Sequence, residues 1–274
     1  MTTRRRFAVC VDDFGLNEAV NAGAWSLVEA GRVSALSCLT RAPAWRSGAA
    51  LLRATVSERA DVGLHLNLSE SFGRGQWHRP LAALCAGACL HLLPAAPVRA
   101  ELRAQFDAFE DAMGQAPDFV DGHQHVHHLP VVRDLLFDEL MRRYPTRRPW
   151  LRNTRPPRAF RPAPPKQRVI TALGADSLAL LARELRYPQN RSLLGVYRFT
   201  GTAADHARRL VSWCRAMEDD GLLMTHVATA PTSGDPIARA RVTEFEVLRS
   251  PVFTDALASG LAVARMSDLL PGTP

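Results

Sequence analysis

The sequence predicts an α/β fold in which seven or eight parallel strands close into a barrel. Strand-like and helix-like segments alternate from residue 7 to residue 265, and so many βα units in succession suit a barrel better than an open sheet. The side chains with chemical potential, Asp12, Asp13, His65, His123, Arg155 and His226, fall at or just beyond the C-terminal end of a predicted strand. Parallel barrels carry their functional groups there. No internal repeat and no composition break divides the 274 residues, so one domain over residues 1–274 is expected.

The elements follow in order. Residues 7–11 are a buried first strand ending in Asp12-Asp13-Phe14-Gly15. Asn17 caps a helix whose Val20, Ala24, Leu27 and Val28 share one face, and Gly31 follows its end. Strands are predicted over residues 33–39 and 61–68, with a helix from Pro43 between them. Residues 69–97 are rich in glycine and proline and read as a long loop holding a short helix near 80–90. Leu102, Phe106, Phe109 and Met113 repeat at helical spacing. A short strand at 119–120 leads into the histidine run, and Pro130 opens the next helix. Residues 150–152 are a strand, followed by a proline-rich loop at 156–165. Helices near 167–185, 203–217 and 235–249 then alternate with strands at 193–199, 222–226 and 261–265.

Composition narrows the function. The 34 basic residues against 27 acidic ones leave a mixed surface, and arginine supplies all the basic residues except Lys166. No basic run carries interleaved aromatics, so nucleic acid is not an expected partner. The apolar segment behind Arg4-Arg5-Arg6 stops at Asp12, too short for a signal peptide, and no apolar run is long enough to span a bilayer. Five cysteines with no Cys-x-x-Cys pair read as reduced thiols, and a cytoplasmic protein is expected. Apolar residues over 81–93 permit a homodimer.

The most informative run is Asp121-Gly122-His123-Gln124-His125-Val126-His127, extended by His128. Imidazole is the commonest metal ligand near neutral pH, being largely neutral there with a free lone pair. Asp12-Asp13 and His65, inside the strand Val62-Gly63-Leu64-His65-Leu66, complete a set of carboxylates and histidines at strand ends. Such a set suggests a mononuclear metal hydrolase. Neighbouring residues of a strand face opposite ways, so Asp12 and Asp13 share a site only if the backbone turns at that point. In an extended run His125 and His127 lie on the side of His123 but drift away from it, which puts them in a substrate cleft or behind the ligands. By position, Arg155 is the guanidinium expected to hold Asp12 ionised. Asp121 either orients a ligand histidine or caps a turn.

These pieces, in this order, resemble the YdjC-type carbohydrate deacetylases, and the likeness runs from about residue 7 to about residue 250. The resemblance implies a distorted (β/α) TIM-like barrel, one divalent metal ion (magnesium), and hydrolytic removal of acetyl from an N-acetylated amino sugar on an oligosaccharide or glycolipid. It implies Asp13, His65 and His123 as metal ligands, Asp12 as general base and His226 as general acid. The runs at 193–199 and 235–251 look most like the members associated with hopanoid biosynthesis. Two positions depart from the pattern. Cys10-Val11 stands where the family has Asn-Ala, and Val227 follows His226 where the family has proline. Two imidazoles and a carboxylate would by themselves suit zinc or another transition metal better than magnesium. The competing readings are another metal hydrolase, such as a phosphoesterase, and a sugar-binding protein on a decayed deacetylase scaffold.

Overall fold

The computed structural model describes residues 4–55, 58–73, 75–160 and 163–270, so residue 74 and residues 161–162 of the proline-rich loop lie outside the description. Eight strands, β1 (Arg5–Phe14), β2 (Ala35–Cys38), β3 (Asp61–Leu66), β4 (Phe119–Gly122), β5 (Trp150–Leu151), β6 (Leu193–Leu194), β7 (Gly221–Thr225) and β8 (Leu261–Val263), pair in parallel throughout. Their order is β5-β4-β3-β2-β1-β7-β6, with β8 paired to the first residues of β1. Around them run α1 (Glu18–Glu29), α2 (Trp45–Thr55), α3 (Leu81–Cys89), α4 (Ala95–Met113), α5 (Val132–Arg143), α6 (Pro165–Ile170), α7 (Asp176–Glu184), α8 (Ala203–Ala216), α9 (Ala238–Arg249) and α10 (Pro251–Ala258). Among the described residues no helix is long and apolar enough to cross a membrane.

The curled sheet nearly closes. Between β5 and β6 a main-chain ladder is replaced by a looser seam. Leu151 and Leu193 donate to Pro188 and Arg155 carbonyls at 2.8 and 2.7 Å. Asn153 and Asn190 tie the remainder: the Asn190 side chain accepts from the Asn153 amide at 2.7 Å and donates to its carbonyl at 2.9 Å, and the Asn153 side chain donates to the Asn190 carbonyl at 3.2 Å. The predicted distorted barrel is what results.

Strand alternation divides the core in two. Phe7, Val9, Val11, Val62, Leu64 and Val120 face outward into the large core beneath the helices. Ala8, Cys10, Phe119, Trp150, Leu222 and Met224 face inward, and stacked Phe119 and Trp150, with centroids 4.1 Å apart, plug the barrel floor. Trp150 is thus a core residue. The same alternation turns the next inward positions, Asp12, Ser37, His65, Asp121 and Arg152, towards the C-terminal mouth.

Four local expectations change. The strand at 193–199 ends after Leu194, because Gly195 takes φ +105° where a Cβ would lie 2.0 Å from the Met224 carbonyl. The helix near 167–185 is broken by Gly174 (φ +136°) into α6, a wide turn over Thr171–Ala175, and α7. An additional helix, α10, starts at Pro251, whose missing N–H costs nothing in a first turn. The histidine run is a tight turn over His123–His128, not an extended segment, because Gln124 and His125 adopt left-handed backbone at φ +52° and +63°. Asn17 caps α1 as expected, accepting from the Val20 amide at 3.0 Å.

Candidate metal centre

β1 delivers Asp12 and Asp13 to one place by a break in its register between Val11 and Phe14. Asp13 itself makes the turn, at φ +66°. A non-glycine residue rarely holds that conformation, and such strain concentrates at functional sites. Once turned, the buried Asp13 Oδ1 lies 2.8 Å from His123 Nδ1 and 3.3 Å from His65 Nε2. One donor atom from each of the three falls within 4.8 Å of the others. A buried carboxylate flanked by two imidazoles at such spacings fits one small divalent ion. The three predicted ligands therefore converge, from β1, β3 and the turn after β4.

Charge explains the arrangement. Burial opposes ionisation of Asp13, yet His123 and Arg241 hold it well below the usual carboxylate range. Burial would lower both imidazoles, but Asp121 and Asp12 raise His65 to about 10, and Asp13 raises His123 to about 9. The centre is a pocket of negative field that seeks positive charge. Behind the ligands, Asp121 Oδ1 takes His65 Nδ1–H at 2.6 Å and the Ser37 hydroxyl at 2.5 Å, fixing which nitrogen of His65 faces the site. Asp121 thus orients His65. Glu70 Oε1 lies 3.2 Å from His123 Nε2.

The guanidinium on Asp12 is that of Arg152, not Arg155. Arg152 donates to both Asp12 oxygens at 2.6 Å and reaches Asp121 Oδ2 at 2.5 Å. Trp150 faces inward, so alternation sends Arg152 inward and completely out of solvent. Arg155 lies beyond the strand, bonded at 3.1 Å to Asn153 and 3.8 Å from Asp176. A second cluster of possible metal donors, Cys10, Asp12 and Asp121, already encloses this Arg152 cation.

A second arginine escaped the sequence reading. Arg241 of α9 donates to Asp13 Oδ2 at 2.7 Å and to Asp235 at 2.6 Å, leaving Asp13 Oδ1 to face the two imidazoles. Nothing in the spacing of residues 228 apart signals this contact.

The remaining histidines separate. His125 is buried and lines the cavity above the centre, where burial holds it well below its ordinary value. His127 does not line that cavity. It lies behind the site, where its Nε2–H donates to the Arg152 carbonyl at 3.0 Å, because the turn directs it inward. His226 follows β7 at the cavity wall, its ring edge-on to Phe199 at 4.9 Å. Its Nδ1 has no hydrogen-bond partner among the described residues, and burial brings it down to about 4. Its backbone N–H is fixed at 2.9 Å by buried Glu244, which also holds Thr225 and Tyr197. Val227 packs into the outer core.

The cavity holds about 870 Å³ and opens at the strand ends. Asp12, Asp13, His123, His125 and His226 line it, and Phe72, Leu81, Val169, Ile170 and Leu173 are among the apolar residues of its wall.

Known proteins resemble this chain in sequence and in fold. Carbohydrate deacetylase from Homo sapiens is 35% identical over 159 residues, covering 53% of this chain and 47% of that protein. Chitooligosaccharide deacetylase from Proteus mirabilis (strain HI4320) is 31% identical over 129 residues, covering 43% and 49%. The chain spans about half the length of these curated relatives. A solved protein of Enterococcus faecalis V583, provisionally named for cellobiose-phosphate cleavage, superposes with a TM-score of 0.71 at 18% identity, over 98% of this chain and 100% of that one. A peptidoglycan N-acetylglucosamine deacetylase gives 0.54 at 9%, over 96% and 87%. At such identities the likeness is one of fold. A family model described as YdjC-like protein matches residues 6–259, a span that takes in every donor of the centre, and the chain belongs to that family.

Proposed function

We propose that the chain is a metal-dependent hydrolase that removes acetyl from an N-acetylated amino sugar, with Asp13, His65 and His123 holding one divalent ion. The observation that carries this reading is the convergence of those three donors beside an arginine-clamped carboxylate and a buried histidine, at a cavity lined by Asp12, Asp13, His123 and His226. When bound, the ion polarises the amide carbonyl and brings the pKa of water towards about 7. Asp12, oriented through both oxygens by Arg152, takes the proton of the attacking water. Burial keeps His226 neutral at rest, so it gains a proton only as negative charge grows on the substrate beside it. Asp12 supplies that proton, and His226 passes it to the nitrogen as the C–N bond breaks, giving acetate and a free amine. His125 lies where the sugar ring would pass. Magnesium follows from the resemblance; the donor set favours zinc or another transition metal.

The apolar cavity wall supports a glycolipid substrate, in keeping with the likeness to hopanoid-associated members. Five unpaired cysteines, three of them buried, support a cytoplasmic setting. A two-metal phosphoesterase is disfavoured, since Arg152 fills the other donor cluster among the described residues. Acetate release from N-acetylglucosaminyl oligosaccharides and glycolipids, with and without chelator, tests the proposal. Release that chelation abolishes and a divalent ion restores is expected. No release by fully metal-loaded protein across that panel would overturn it.

A further inference from the structure

Helix α3 and the turn after it, residues 81–93, read LAALCAGACLHLL, with His91 the one polar side chain. A helix apolar on every side is ordinarily buried in protein or lipid. Here Leu81, Ala82, Ala83, Ala86, Cys89, Leu90 and Leu92 stand in solvent. Leu90 and Leu92 are 67% and 73% exposed, the highest values for large hydrophobic residues among those described. Across the cavity mouth, α6 presents Val169, 59% exposed. The apolar rim is continuous with the cavity interior, because Leu81, Cys85 and Val169 line both. Acidic residues stand nearby, with Glu70 and Asp235 lining the cavity and exposed Asp176 opening α7, but the stretches that carry the rim are basic. Residues 71–98 and 156–175 contain six lysines and arginines and no aspartate or glutamate. Arg79, Arg158, Lys166 and Arg168 of these stretches are exposed.

We propose that this rim is a membrane-docking face, with α3 and the turn at Leu90–Leu92 entering the interface of a bilayer that carries anionic headgroups. An apolar element edged by cations is the pattern of a protein that lies on a membrane without spanning it. A second copy of the chain seated here would cover the cavity mouth. A bilayer would instead open the mouth to an amphiphile. The inference extends the glycolipid reading, but it is read by partition and needs no turnover.

Co-sedimentation with vesicles tests it, using phosphatidylcholine alone or mixed with phosphatidylglycerol. The chain is expected to pellet with the anionic vesicles and to be released by high salt. The double variant Leu90→Glu/Leu92→Glu is expected to bind about tenfold more weakly or worse, with unchanged far-UV dichroism and metal content. Arg79→Glu/Arg168→Glu, which alters no apolar surface, is expected to weaken anionic binding severalfold. Wild-type protein left in the supernatant at low salt would overturn the proposal, as would a leucine double variant that binds like wild type. So would a wild-type dimer that the leucine variant dissociates, since the face would then belong to a second copy. Vesicle binding without acetate release would leave this inference standing and count against the hydrolase alone.

Discussion

Arg152 holds this site together at its centre, since its one guanidinium satisfies two buried carboxylates, Asp12 and Asp121. Removing one partner of a buried ion pair strands the other charge, at a cost of about 3–5 kcal/mol. Arg152→Met is therefore expected to lower urea-unfolding stability by about that much, while Arg155→Met, on the surface, changes it by about 0.5 kcal/mol or less. Equal effects of the two would refute the assignment. Asp12→Asn keeps the charge partner and the ligands, so metal content stays and acetate release drops by about 10²–10⁴-fold. His65→Ala and Asp13→Ala are expected to lose the ion itself, which elemental analysis reads directly. The convergence of Asp13, His65 and His123 was legible in the sequence because imidazoles and acids at strand ends are chemically conspicuous. Arg152 was legible in principle: Trp150-Leu151-Arg152 was read as a strand, and alternation from a buried tryptophan points its third residue inward. Arg241 was not legible, for it reaches Asp13 from a helix at the far end of the chain.

Strands and long helices were readable at the level of elements, because apolar periodicity is local. Backbone reversals at single residues were not. The left-handed pair Gln124–His125 and the breaks at Gly174 and Gly195 depend on what lies across the gap. Gly174 shows the coupling. A Cβ there would stand 2.2 Å from the His128 carbonyl, in a backbone conformation that L-residues avoid. Gly174→Ala must push the α6–α7 turn off the histidine turn that bears His123 and His125. A loss of about 3 kcal/mol is expected, with a fall in metal affinity measurable by titration calorimetry. Thr202→Ala is the control. It removes the capping box of α8, in which Thr202 accepts from the Asp205 amide at 3.2 Å, and is expected to cost about 1 kcal/mol with no change in metal binding.

At the scale of the molecule, burial of neutral imidazoles sets the acid limit. His206 on α8 is enclosed by Tyr197 and Trp213 at 5.5 and 5.8 Å between ring centroids, and burial brings it from 6.5 to about 4. Between those values the unfolded chain binds the extra proton, so stability rises with pH across the window and is lost as pH falls from 6.5 to 4. At pH 5 this one group costs about 2 kcal/mol. His206→Phe is expected to recover that amount at pH 5 and almost none at pH 7 in paired denaturation curves. Fold class and strand count were legible on this scale, because βα alternation persists along the whole chain; how the circle closes was not, since that depends on two asparagine side chains meeting. Their meeting makes the barrel a split ring instead of a hoop. A hoop changes girth only by tearing main-chain ladders, whereas a split ring yields at its gap, held by a few amide contacts. Hydrogen exchange will therefore start at residues 151–153 and 190–193 before any other staves, and a broad guest will widen the vessel there.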